Sequence, residues 1–230
     1  MICINGYARS ETASGRSVNE DNFCINRHFN KPGSCGSYSF QEKHDTLLGV
    51  FGGIGGEMAS FIPAKTLARF DGHLPGNTWD KLLNDMNHRL KDFAQHNGLR
   101  EFGSSAAIAS VKNGMMQLCM LGKCEAYIYR DGNLKCLHKN IAENGNTEAL
   151  KPCFVNDIEL TSGDYVMLCS NGLSSAAADD VIKDAMKTAD CRLIADDLIK
   201  QAMSAGIEDD ISLIVFACEK KTSWFSSLFR

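Results

Sequence analysis

The chain has 230 residues, 24 Lys plus Arg against 28 Asp plus Glu for a formal net charge of −4, and 44% apolar residues. This is the composition of a soluble globular chain with enough core to fold without staples, most simply as one α/β-type domain. The acidic balance speaks against nucleic acid as partner, no apolar run approaches the ~18 residues of a membrane span, and the opening MICINGYARSETASGRS lacks the basic-then-apolar layout of an export signal.

In chain order, Thr46–Phe51 reads as a short buried strand running into a glycine-rich turn, GGIGG, whose spacing matches neither the dinucleotide nor the P-loop fingerprint. A short helix is expected from about Ser60, with Pro63 tolerated in its first turn. Trp79, Leu82, Leu83, Met86, Leu90, Phe93 and Ala94 fall on one helical face, with Asn77 as cap and Gly98 past the end. Ser105–Lys112 and Met115–Leu121 flank Asn113-Gly114, and Glu125–Arg130 and Asn133–Leu137 flank Asp131-Gly132. Both dipeptides accept the positive φ angles of two-residue hairpins, so a meander of four consecutive antiparallel strands is expected. Tyr165–Ser170 and Ile211–Ala217 read as further strands, and Asp179–Thr188 and Arg192–Ala205 as helices, the latter closed by Gly206. Blocks of helices and blocks of antiparallel strands predict a layered α+β fold.

The ten cysteines contain no Cys-x-x-Cys pair, and several lie inside apolar runs. They read as free packing thiols of a cytoplasmic protein. The six histidines form no His-x-x-x-His pair, which disfavours a zinc hydrolase; His88 and His96 read as surface residues of the amphipathic helix. Ser104, Ser105 and Ser170 stand in no Gly-x-Ser-x-Gly elbow.

Six segments carry a further signal in their order: RSVNEDNF (Arg16–Phe23), LLGVFGGIGGEMAS (Leu47–Ser60), GSSAAIASV, LGKCEAYIYRDGNL, SGDYVMLCSNGLSS and EDDISLIVF. Together the sequence resembles the metal-dependent protein serine/threonine phosphatases of type 2C, the PPM family, over nearly its whole length. The resemblance implies a four-layer α-β-β-α sandwich, two antiparallel sheets flanked by helices, over residues 1–218, followed by a basic and aromatic tail, 219–230. It implies two Mg²⁺ or Mn²⁺ ions ~4 Å apart activating a water for in-line attack on a phosphoprotein ester. In its terms, Arg16 would hold substrate phosphate as a planar fork, and Asp21, Asp209 and the Gly53 carbonyl would bind metal.

Four positions depart from the resembled pattern. The bridging Asp is Gly52, the Asp of Ser-Asp-Gly-Leu is Asn171, the acid of the Gly-Asp-Ser-Arg segment is Lys123, and a further acid is Ser175; in return the Asn of the final motif is Asp210. The pocket is thereby about four charges more positive than the family pattern, roughly what two divalent ions would bring. A normal two-metal site is therefore not expected, leaving Mg²⁺ or Mn²⁺ as a single ion or absent.

Glu20, Glu57, Asn171 and Asp210 are weaker substitute ligands, with Glu57 read first as a solvated carboxylate at a helix start. Lys123 is either a surface hairpin lysine or an ammonium in the pocket, and Asn171 is also credible as a turn residue. Cys124, next to Lys123, reads as packing rather than as a reactive thiol. The tail, with Trp224, Phe225, Leu228 and Phe229, reads as folded back on the domain, the alternative being a docking segment. Two functions follow from the resemblance: a PPM-type phosphatase of weak or absent activity, or a pseudophosphatase that binds a phosphoprotein or regulatory partner.

Overall fold

The computed structural model describes residues 2–70, 72, 74, 79–138 and 152–220. Twelve strands and five helices are found among them. The strands are β1 (Ile2–Glu11), β2 (Asn22–Ile25), β3 (His28–Phe29), β4 (Gly36–Glu42), β5 (Thr46–Ile54), β6 (Gly103–Lys112), β7 (Met115–Leu121), β8 (Glu125–Arg130), β9 (Asn133–His138), β10 (Cys153–Glu159), β11 (Tyr165–Cys169) and β12 (Ile211–Lys220). The helices are α1 (Met58–Leu67), α2 (Trp79–His96), α3 (Asn171–Ala176), α4 (Asp179–Met186) and α5 (Cys191–Ser204). One sheet runs β4-β1-β12-β11-β8-β9 and the other β10-β7-β6-β5-β2-β3. Neighbouring strands in both are antiparallel.

The alternation of side chains along the central strands builds the layers. On β12, Ile214, Phe216 and Cys218 point between the sheets, as do Leu48 and Val50 of β5, Ala107 and Ala109 of β6, and Val166 and Leu168 of β11. The opposite faces are covered too. Leu213 and Val215 meet Ile194, Leu198 and Ile199 of α5, while Leu47, Phe51 and Ile108 meet Leu67 of α1 and Leu82 and Met86 of α2. Strands buried on both faces read in sequence as continuous apolar runs, which is why β5, β11 and β12 were legible. The expected four-layer α-β-β-α sandwich is the observed architecture.

Both hairpins form, with Asn113, Gly114, Asp131 and Gly132 all at positive φ, between 50° and 78°. They do not form one meander. β6-β7 lies in one sheet and β8-β9 in the other, and the link through Gly122 and Lys123 carries the chain across. The reason is the core: Leu118 and Met120 of β7 and Ala126 and Ile128 of β8 face the same inter-sheet layer from opposite sides.

Other differences are local. α1 begins at Met58, so Pro63 sits inside the helix rather than in its first turn. β1, β2, β3, β4 and β10 and the short α3 have no counterpart in the sequence reading; β1 (ICINGYARSE) carries too many polar and glycine positions to show as a buried strand. β12 runs two residues past Cys218, because Glu219 and Lys220 pair with Cys3 and Ile2. Asn77 and residues 221–230 lie outside the described residues. All ten cysteines are free thiols, and no described helix is long and apolar enough to cross a membrane.

Candidate functional site

The site residues converge where the two sheets meet at one end of the sandwich. Asp21 immediately precedes β2, whose Asn22 pairs with Phe51, so Asp21 arrives beside Gly52. Gly52 and Gly53 in turn pair with Ser105 and Ser104 of β6. From the other sheet, the passage from β11 into α3 brings Ser170 and Asn171, and the residues leading into β12 bring Asp209 and Asp210. Ser170 and Ser212 join these two ends through the Ser170 amide to the Ser212 carbonyl and the Ser212 amide to the Ser170 hydroxyl, each 2.9 Å.

Asp21 is buried, and its Oδ2 has no hydrogen-bond partner. Burial pushes its pKa well above the usual carboxylate range; hydrogen bonding from Ser170 opposes this, Asp210 and Asp209 add to it, and the Gly53 backbone opposes it. The side facing it has nothing to share. A Cβ built on Gly52 would lie 3.4 Å from Asp21 Oδ1 and 2.6 Å from the Ser105 hydroxyl, so a side chain at this position would first have to displace that hydroxyl.

Asp209 is half-exposed and already engaged. Its Oδ2 accepts from the Asn171 side-chain amide at 3.1 Å, and its Oδ1 accepts from the Asp210 amide at 3.2 Å and lies 3.7 Å from Arg16 Nη2. Asn171 Oδ1 accepts from the Ser175 hydroxyl at 3.0 Å. Asp210 is buried and accepts three bonds: Ala13 N–H on Oδ1 at 2.8 Å, and Glu20 N–H at 2.7 Å and Arg16 Nη1 at 3.2 Å on Oδ2. Both its oxygens face protein donors, unlike those of a substitute metal ligand.

Arg16 spans the acids, with Nη1 also 3.6 Å from Glu20 Oε2. Burial raises the pKa of Glu20, Arg16 lowers it, and Asp210, Asp209 and Glu57 raise it again, so all five charged groups share one neighbourhood. Glu57 stands half-buried at the N-cap of α1 and makes no capping bond. Lys123 is exposed in the turn between β7 and β8. Cys124 is fully buried, its thiol pushed up to about 12 by burial and set 3.4 Å from the Ser105 hydroxyl. The packing reading of Cys124 holds.

The bare Oδ2 of Asp21 would suit a cation, but a bridged pair of divalent ions needs a second carboxylate beside it and free oxygens opposite. Gly52 supplies neither, and Asn171 and Arg16 hold Asp209. Among the described residues, no three His, Cys, Asp or Glu side chains are grouped to hold an ion. The residues present do not fit the two-ion centre. Sequence reasoning found most of this cluster but missed Ser105 and Ser170 as its buried polar lining. It also missed the closure of Arg16 on Asp210, although the change to an acid in the last motif, opposite in charge to a retained arginine, was the available signal.

No family model and no curated protein matches the sequence. Solved structures do. The Mycobacterium tuberculosis serine/threonine phosphatase PstP/Ppp superposes with a TM-score of 0.76 at 22% identity, over 94% of this chain and 100% of that one. The PstP catalytic domain in complex with two manganese ions gives 0.74 at 21%, over 96% and 100%. PppA, a regulatory component of the type VI secretion system in Pseudomonas aeruginosa, gives 0.70 at 19%, over 94% and 99%. Superposition over 94–96% of its length gives this chain the fold of the serine/threonine phosphatases that its motifs resemble.

Proposed function

We propose that the chain is a PPM-type serine/threonine phosphatase-like protein directed at phosphoproteins, with intrinsic phosphoester hydrolysis weak or absent. One arrangement carries the reading: Asn171 and Arg16 hold the Asp209 carboxylate from two sides, across from a Gly52 that offers no carboxylate. Metal-assisted hydrolysis needs oxygens free to gather ions and a water. Here the oxygens of Asp209 and Asp210 are spent on the chain's own donors, and the Arg16 guanidinium provides balancing charge. At most one Mg²⁺ or Mn²⁺ would find ligands, at Asp21 and Asp209 with the Gly53 carbonyl, Glu20 or Glu57.

The same observation favours the second reading, a catalytically inactive module that recognises a phosphoprotein or regulatory partner. Arg16, 39% exposed, is the group that would meet an incoming phosphate. The free thiols support placing the protein in the cytoplasm, and the part of the tail beyond β12, residues 221–230, is a docking candidate by its sequence alone.

A crystal soaked in Mn²⁺ tests the reading, with a steady-state assay on a phosphate ester beside it. No paired anomalous peaks are expected near Asp21 and Asp209. Two peaks about 4 Å apart, or Mn²⁺-dependent turnover at ~1 s⁻¹ or faster, would overturn it.

A further inference from the structure

Arg16 is not a free anion receptor. Its guanidinium closes on Asp210, whose side chain is 1% exposed against 39% for the arginine. The carboxylate cannot swing away, because Oδ1 is fixed by the Ala13 N–H at 2.8 Å and Oδ2 by the Glu20 N–H at 2.7 Å. Both amides belong to the loop that carries Arg16, and the Arg16 N–H itself bonds the Ala13 carbonyl at 3.1 Å. Loop, arginine and carboxylate thus form one closed unit. An asparagine, the residue of the resembled motif, could accept through one atom only and would bring no charge. An oxyanion reaching Arg16 meets three carboxylates already at the guanidinium, Asp210 3.2 Å and Glu20 3.6 Å from Nη1 and Asp209 3.7 Å from Nη2.

We propose that Asp210 is a built-in counter-anion that holds Arg16 and keeps the affinity of the site for phosphate low. It is a positioning residue acting through the arginine. The inference rests on the reading of Arg16 as the phosphate-binding group, and it adds that this group is restrained within the chain itself.

The test titrates the full-length protein, in metal-free buffer, with inorganic phosphate and with a phosphoserine peptide and its unphosphorylated twin. The variants are D210N, E20Q, and D210N combined with R16A. D210N is expected to bind phosphate and phosphopeptide roughly tenfold or more tighter than wild type, the scale of one charge-assisted hydrogen bond. Adding R16A should erase the gain, and E20Q should reproduce little of it. An equal gain from E20Q would make the effect one of net charge and overturn the proposal.

If wild type binds phosphopeptide through Arg16 as tightly as D210N does, the proposal fails while the phosphate-binding reading survives. If neither wild type nor D210N distinguishes the phosphorylated peptide from its twin, that reading falls and takes the proposal with it. Should D210N not fold, ¹⁵N spectra of the wild-type Arg16 guanidinium decide. Signals unmoved by phosphate support the proposal, and signals that shift overturn it.

Discussion

The side-chain amide of Asn171 donates to Asp209 Oδ2 at 3.1 Å while its oxygen accepts from the Ser175 hydroxyl at 3.0 Å. Two positions where acids are missing are therefore joined in one chain of hydrogen bonds to an acid that is retained. The substitutions are not independent losses. Together they engage both oxygens of Asp209 with the chain's own groups, while Oδ2 of Asp21 stays bare.

Replacing that donor by an acid should expose the difference. Asn171→Asp sets two carboxylates at hydrogen-bonding distance with no proton donor between them, so in metal-free buffer one is forced toward its neutral form and stability falls by about 1 kcal/mol. For a chain of this size that is a drop of roughly 2–4 °C in melting temperature. Millimolar Mn²⁺ should restore the loss in the variant and leave wild type unmoved. A variant that melts like wild type, with and without Mn²⁺, would contradict the described geometry.

A second prediction concerns how the ends of β11 and β12 are held together. A Cβ on Gly172 would lie 2.2 Å from the Asp210 carbonyl oxygen and 3.0 Å from that of Asp209. Both are backbone atoms that cannot rotate away. Gly172→Ala should destabilise the fold by about 2 kcal/mol or more, read as a lower urea midpoint at unchanged slope. Gly98, with nothing within 4 Å of its Cβ position and φ at +64°, is the control for backbone strain without a clash.

The layers were legible where burial on both faces forces continuous apolar runs, as in β5 and β12, and where turn chemistry is explicit, as at Asn113-Gly114. They were not legible where tertiary pairing makes the strand. β1 exists because it is bonded along its length to β12, and the alternation that puts Ile4 and Ala8 in the inter-sheet core is too weak in ICINGYARSE, with Gly6 and Ser10 on the same face, to mark a strand by itself. The split of the expected meander between two sheets was hidden for a related reason. A hairpin is a local event, whereas the sheet it joins is decided by which core its inward side chains share. At the site, Asp21, Gly52, Asn171, Asp209 and Arg16, singled out by motif order, lie at one end of the sandwich. The direction of the Arg16 side chain toward Asp210 required coordinates.

The thiols give a third prediction. Cys35 and Cys153 are exposed, while Cys24, Cys119, Cys124, Cys169 and Cys218 are buried. Burial pushes the thiols of Cys119, Cys124 and Cys218 up to about 12, so they hold their protons at any mild pH. Brief alkylation of the native protein at pH 8 followed by peptide mass spectrometry should find label on Cys35 and Cys153 first and none on Cys124 until denaturant is added. Early label on Cys124 would revive it as a reactive thiol.

The last prediction lies at the far end of β11, away from the acids. Asp164 is 1% exposed and receives Arg130 Nε at 2.7 Å and Nη2 at 2.6 Å, together with the Thr161 amide at 2.6 Å. Burial works against its charge, but the Arg130 bonds and the Thr161 amide outweigh burial, and its pKa is lowered. A depressed carboxylate stabilises the fold above its unfolded pKa, near 3.9, and loses that contribution as pH falls through the lower folded value. Asp164→Asn should therefore cost about 2–3 kcal/mol at pH 7, below the usual toll for breaking a buried pair because Arg130 is partly solvated. The gap between wild type and variant should narrow only on acidification below about pH 4. Urea unfolding of both proteins from pH 7 to pH 3 measures it, and a gap that is constant over that range, or that widens toward acid, would show that the ion pair is not what Asp164 contributes.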